Sequence, residues 1–235
     1  MRGQLLMYRL WLSVAVAVMF LFPMIEPGLA QPGAFVVLLD PAHGGEDKGV
    51  VNDSFQEKNL TLKLARLISE EARKTPGLQI ILTRSLDKSE SAVERRKALG
   101  TGKADCLLSL HVNAGFANKA SGYEIYFPGF DDMQGGKGNS QAIIKDMVKN
   151  RSLNDSVLFS QDLQAALETV FPRKGRGLRD APSPLLTGLD IPGLALELGF
   201  ATNPDDRKLL NDEGKQQAIA KAIVKGLRDY SLKAR

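Results

Sequence analysis

The chain has 235 residues, 25% of them charged and 43% hydrophobic, with a formal net charge of +4. That is the composition of an ordinary globular protein, and a charge excess this mild, without interleaved aromatic and basic residues, excludes nucleic acid as a partner. The single cysteine, Cys106, rules out a disulfide framework and, inside an apolar run, reads as a small buried hydrophobe.

Residues 1–30 read as a signal peptide. Arg2 and Arg9 make a basic start, Leu10–Phe22 is apolar, and Gly28-Leu29-Ala30 supplies small residues ahead of Gln31. The apolar stretch holds 13 residues, short of the roughly 20 needed to cross a bilayer. The expectation is an exported protein whose mature part, residues 31–235, is a single domain with no transmembrane span.

The first mature element is the apolar run Phe35-Val-Val-Leu-Leu39, a buried strand. Asp40-Pro-Ala-His43-Gly-Gly follows and turns the chain at the strand's carboxyl end, where ligands sit in open α/β sheets. Gly44–Asp53 reads as a loop, and Ser54-Phe-Gln-Glu57 as a capping box opening a helix. Leu60, Leu64, Leu67 and Ile68 carry that helix to about Arg73, before Pro76-Gly77. Leu78–Thr83 is a second strand. Ser91-Ala-Val-Glu94 opens a second helix ending near Gly100, and Asp105–Leu110 is a third strand that delivers His111.

Gly122–Phe127 alternates as a fourth strand, and Pro128–Asn139 is a glycine-rich loop. Two helical patterns follow, one on Ile143, Ile144, Met147 and Val148 and one on Leu163, Leu167 and Val170. Gly175–Asp190 reads as a basic connection, Gly193–Leu198 as another buried strand carrying Glu197, and Asp212–Tyr230 as a closing helix. Strands alternating with helices predict an α/β domain with a central, largely parallel sheet of about six strands and helices on both faces.

The chain has two histidines, His43 and His111, and each ends an apolar strand. The pairing points to a shared metal site, and hydrolytic zinc sites commonly use two histidines and a carboxylate. Glu57 and Glu197 compete for the carboxylate position. Glu57 opens a helix near His43, whereas Glu197 is costly to bury without a partner, Arg179 being one such partner. Asp40 is close enough in sequence to orient the His43 ring; Glu46 and Asp47 read as solvated loop charges.

His43 in Asp-Pro-Ala-His-Gly-Gly, Glu57 in Glu-Lys-Asn-Leu, His111 in Ser-Leu-His-Val-Asn-Ala and Glu197 in Leu-Glu-Leu-Gly-Phe-Ala-Thr-Asn-Pro resemble the zinc-dependent N-acetylmuramoyl-L-alanine amidases. The likeness extends to Leu82-Thr-Arg84 with Asp87, to Ser121–Tyr126, and to Arg176-Gly-Leu-Arg179, and it covers roughly Val36–Tyr230. Ala42, Asn59 and Val112 depart from the commonest residues of that pattern without touching a ligand position. The resemblance implies zinc held by His43, Glu57 and His111, with Glu197 as the catalytic carboxylate. It also implies peptidoglycan as substrate, in the periplasm or cell envelope. With no wall-binding repeats in the chain, targeting falls to the domain itself or to a protein activator.

Three other readings compete. A zinc peptidase or carboxypeptidase on the same wall would share the chemistry, and a catalytically silent wall-binding module would share the fold. A phosphate cradle at Asp40–Gly45 matches no phosphate-loop pattern. The resemblance further makes Asp131–Asn154 a candidate regulatory lid, against an ordinary packing helix.

Overall fold

The computed structural model describes residues 33–97, 104–128, 140–172, 174–180 and 183–234, with backbone alone at 117 and 140–146. The expected signal peptide, the end of the second helix near Gly100, and residues 131–139 of the candidate lid lie outside the described residues.

The strands are β1 (Phe35–Pro41), β2 (Val51–Asn52), β3 (Phe55–Gln56), β4 (Leu78–Leu82), β5 (Cys106–Asn113), β6 (Tyr123–Phe127), β7 (Gly175–Asp180) and β8 (Gly193–Phe200). The helices are α1 (Glu57–Ala72), α2 (Ala92–Lys97), α3 (Ser140–Leu167), α4 (Pro204–Asn211) and α5 (Glu213–Lys233). Six strands form one sheet in the order β4-β1-β5-β8-β6-β7, and β2 and β3 make a separate two-stranded hairpin. All neighbours in the six-stranded sheet run parallel except β6 and β8. The expected single α/β domain with a largely parallel sheet is therefore what the chain builds.

The two faces of the sheet are covered unequally. Phe35, Val37 and Leu39 of β1, with Cys106, Leu108 and Leu110 of β5, pack into one large core with α1, α3, α4 and α5. Leu60, Leu64 and Ile68, one helical turn apart, are the α1 contribution. On the opposite face, Leu38, Leu107 and Ala195 meet Leu185, Leu186 and Leu189 of a turn segment in a much smaller cluster. Helix α2 belongs to this second face, since its Arg95 binds Asp40 and its Arg96 binds the Pro184 carbonyl. Among the described residues, this thin face leaves the carboxyl ends of β1, β5 and β8 open to a depression bordered by His43, His111 and Glu197.

Several expected elements differ in detail. Ser91 and Glu94 do form a reciprocal capping box at α2. Ser54 does not cap α1: it lies in the turn joining β2 to β3, and the N-cap is Gln56, without a side-chain hydrogen bond. The Glu57 carboxylate, needed for a capping box, is bound instead to Val50 and Val112. The two helical patterns between 140 and 170 are one continuous helix, α3. Leu153, near the end of the candidate lid stretch, is buried in the large core, and neighbouring Ser152 donates to the Asp190 carbonyl. Part of the expected basic connection is the edge strand β7, which lacks an apolar face to announce it. Helix α4 is an addition, started by Asn203, which accepts from the Asp205 and Asp206 amides, and by Pro204. Among the described residues, no helix is long and apolar enough to cross a membrane.

Candidate metal centre and catalytic carboxylate

The site is built first from the loop after β1. His43 sits there with φ 62°, in the left-handed region that a non-glycine residue enters only under constraint. The constraint is visible in the carbonyls. Pro41 O accepts from Arg84 and Arg95, Ala42 O from Arg84 and Thr61, and His43 O from Arg95. Gly44 O accepts from Ser89, and Gly45 O from Lys58. Every carbonyl from Pro41 to Gly45 is thus held by a side chain, and Arg84, only 1% exposed, is the central pin. Asp87 adds bonds to the Gly45 amide and to Lys58.

Glu57 opens α1 and is 2% exposed. Its Oε1 lies 3.1 Å from His43 Nε2 and 3.3 Å from His111 Nδ1, and also accepts from the Val112 amide at 2.9 Å. Its Oε2 accepts from the Val50 amide at 2.8 Å. The two imidazole rings stand nearly perpendicular, with centroids 5.5 Å apart. One nitrogen from each ring and one carboxylate oxygen lie within 4.8 Å of one another.

Each imidazole turns its other nitrogen to an anchor. His43 Nδ1 lies 2.8 Å from Asp47 Oδ2. His111 Nε2 lies 3.1 Å from Ser109 Oγ, which donates to Asp40 at 2.6 Å. Asp40 in turn accepts from Arg95 and Thr83. The expected roles of the two aspartates are therefore redistributed. Asp47, expected as a solvated loop charge, orients His43, because the tight turn at Gly44 and Gly45 folds it back. Asp40 faces the thin side of the sheet and reaches His111 through Ser109. Such outer hydrogen bonds fix ring orientation and leave the inner nitrogen free to ligate.

The side chains of the site shift one another's proton affinities. The hydrogen bond to Glu57 is the main force raising His43 to about 9. Burial works to raise Glu57, but the bonds from His111, His43 and two backbone amides overcome it and hold the carboxyl at about 2. A buried, permanently ionised carboxylate between two imidazoles suits a divalent cation. The mixed nitrogen and oxygen donors, with an open side, suit zinc in a hydrolytic site.

Glu197 comes from the neighbouring strand β8, in register with His111. Its Oε2 is sealed from solvent and has no hydrogen-bond partner among the described residues. Burial pushes this carboxyl up to about 7; His111 pulls it down, while Glu57 and Glu124 add to the rise. Arg179, considered a partner for Glu197, pairs with Glu124 instead. An open depression of about 370 Å³ joins the proposed groups, with His43, Glu57, His111 and Glu197 in its wall.

Sequence reasoning missed Arg95, Ser109 and Gly49 as parts of the site. At Gly49, φ is +62° and a β-carbon would come 2.4 Å from Glu57 Oε2 and 2.6 Å from the His43 ring. A glycine amid a loop of glycines gives no sign of such a close approach.

The chain matches the N-acetylmuramoyl-L-alanine amidase family model over residues 37–229. It is 31% identical to the uncharacterised protein YqiI of Bacillus subtilis, covering 83% of this chain and 84% of that one. It is 32% identical to the probable cell wall amidase LytH of Staphylococcus epidermidis, covering 83% of this chain and 57% of the relative. The crystal structure of N-acetylmuramoyl-L-alanine amidase from Clostridium difficile 630 superposes with a TM-score of 0.69 at 26% identity, over 85% of this chain and 97% of that one. With the family model spanning most of the chain and relatives above 30% identity, the chain belongs to the N-acetylmuramoyl-L-alanine amidases, enzymes that hydrolyse the amide between N-acetylmuramic acid and L-alanine in peptidoglycan.

Proposed function

We propose that His43, Glu57 and His111 hold a single zinc ion and that Glu197 is the general base of the hydrolysis. The observation that carries this reading is the meeting of three ligand-type atoms within 4.8 Å beside a carboxylate whose Oε2 has no hydrogen-bond partner among the described residues. When bound, zinc supplies Lewis acidity, which acidifies water and polarises an acyl oxygen.

The remaining work belongs to the chain. Glu197 takes a proton from the attacking water and returns it to the alanyl nitrogen as the amide breaks. Its apolar strand, by raising the carboxyl to about 7, makes it both a usable base and a usable acid near neutral pH. Asp47 and the Ser109–Asp40–Arg95 chain keep both rings in place through the cycle. The products are a muramoyl lactyl carboxylate and a stem peptide with a free alanyl amine.

We further assign residues 1–30 as a signal peptide and 31–235 as the exported catalytic domain, on the basic–apolar–small pattern of the first 30 residues. Sequencing the amino terminus of the secreted product tests this, with Gln31 expected first. The hydrolysis is tested by digesting purified cell wall with the mature chain, with and without a chelator. New alanyl amines and lactyl carboxylates that disappear with the chelator are expected. New amines within the stem peptide would identify a zinc peptidase instead.

A further inference from the structure

Across the thin face, one row of polar side chains continues beyond Glu197. Glu197 on β8 is in register with Glu124 on β6, and β7 follows at the sheet edge with Arg176 and Arg179. Glu124 Oε1 accepts from Arg176 Nε at 2.8 Å and lies 3.4 Å from an Arg179 terminal nitrogen. Its Oε2 accepts from Asn113 and from the Tyr126 hydroxyl, each at 2.8 Å. Two guanidinium groups therefore converge on one buried carboxylate, which leaves the trio with a net charge of +1.

Among the described residues, neither guanidinium is used up. Arg176 contributes only its Nε to Glu124, rests over the Phe200 ring with 5.3 Å to the centroid, and has a side chain 39% exposed. Arg179 is 49% exposed. A guanidinium carries five donors in a fixed fork that fits a carboxylate two bonds at a time. The geometry points to a carboxylate-binding subsite formed by Arg176 and Arg179, oriented by Glu124, which holds the peptide half of the substrate. The assignment rests on the proposed scission at the muramoyl–alanine amide.

The glycan half has no charge to offer, because the muramic carboxyl is tied up in the bond being cut. The stem peptide is rich in carboxylates. Spacing selects among them. Strands lie about 4.8 Å apart, so the arginine backbones are about 10 Å from Glu197, and their side chains lean back toward it. Consecutive α-carbons are about 3.8 Å apart. An extended stem leaving the scissile amide therefore brings the α-carboxylate of its second residue to the guanidinium groups. That residue is a glutamate linked onward through its side-chain carboxyl, so its α-carboxylate is free unless amidated. The subsite would accordingly distinguish acidic from amidated walls.

The test uses two synthetic muramoyl tripeptides that differ only at that group, one a carboxylate and one a carboxamide. The purified chain is supplied with zinc, and alanyl amines are counted. The parent should prefer the acid by about tenfold in kcat/KM, mostly through KM. Arg179→Gln, a half-exposed edge position chosen to spare the fold, should bring the ratio near one, and Arg179→Lys should restore part of it. Competition by the free L-alanyl-γ-D-glutamyl peptide should weaken in Arg179→Gln by a similar factor. A parent that cuts both tripeptides equally, or an Arg179→Gln variant that keeps the preference, overturns the subsite while leaving the hydrolysis intact. No alanyl amine from either tripeptide overturns the hydrolysis and the subsite together.

Discussion

Glu124 and Glu197 lie opposite each other on adjacent strands, on the same face of one sheet, and the protein treats them in opposite ways. Glu124 is 4% exposed, and its two oxygens meet donors from Arg176, Arg179, Asn113 and Tyr126. Burial would raise its pKa, but the Arg176 and Tyr126 hydrogen bonds and the arginine charges outweigh burial and hold it below the ordinary carboxylate range. Glu197 has an Oε2 without a hydrogen-bond partner among the described residues and rises to about 7, chiefly through burial. A carboxylate whose lone pairs are occupied can position other groups but has no capacity left for a proton. The neighbour that has been denied partners can exchange one. Leaving a buried polar atom unmatched is expensive, and its presence beside three ligand-type groups marks where stability is given up for reactivity.

The sharpest separation concerns a third glutamate, Glu57. As the proposed central ligand it should be indispensable: Glu57→Ala should remove zinc and essentially all wall hydrolysis together, measured as metal per chain and alanyl amines released. His43→Ala and His111→Ala should behave alike. Glu197→Gln should part these two readouts. Zinc stays bound, the fold is kept because glutamine has nearly the same shape, and turnover falls at least about a hundredfold, the range of general acid–base catalysis. A Glu197→Gln enzyme within a fewfold of the parent would make Glu197 structural.

The pH profile gives the next effect. A base must be ionised to work, so the rate should rise with pH as Glu197 loses its proton. Burial, with the neighbouring charges, places that carboxyl near 7, and the pull of a bound dication would lower it toward the ordinary 4.5. The acidic limb of kcat/KM should therefore fall between those two values, and the residual activity of Glu197→Gln should lack it.

Much of this was legible in the sequence, and the remainder was hidden for identifiable reasons. Strand β1 and the loop carrying His43 announce themselves through an apolar run that ends at proline and glycine. The two histidines stand out because there are no others. The resemblance to known amidases is what assigned Glu57 as ligand and Glu197 as base; spacing had left the two open. Strand β7 escaped notice because an edge strand reading Gly-Arg-Gly-Leu-Arg-Asp buries too little to show a period. The roles of Asp40 and Asp47 were misplaced because sequence distance does not reveal which face a side chain takes. Arg84 and Arg95 hold the His43 loop from elements some 40 to 50 residues downstream, through backbone carbonyls that no side-chain pattern can signal.

The smallest effect comes from Glu124→Gln, and its sign is its value. Glutamine keeps an acceptor for the two arginines and a shape close to the original, so the edge of the sheet should survive. Losing the charge-assisted bonds should cost about 1–2 kcal/mol, seen as a lower Tm. Turnover at the optimum should change by less than about tenfold, far from the effect of Glu197→Gln. The acidic limb should also move. Glu124 is one of the negative charges that raise Glu197. With that charge gone, ionising Glu197 becomes easier, and the limb should shift to lower pH by a fraction of a unit. The same substitution would leave the limb in place if the two carboxylates did not sense each other. A shift to higher pH would mean that Glu124 supports the ionised form of Glu197 by holding the arginines near it. Either outcome would break the contrast between a saturated carboxylate and a starved one on which the assignment of the base rests.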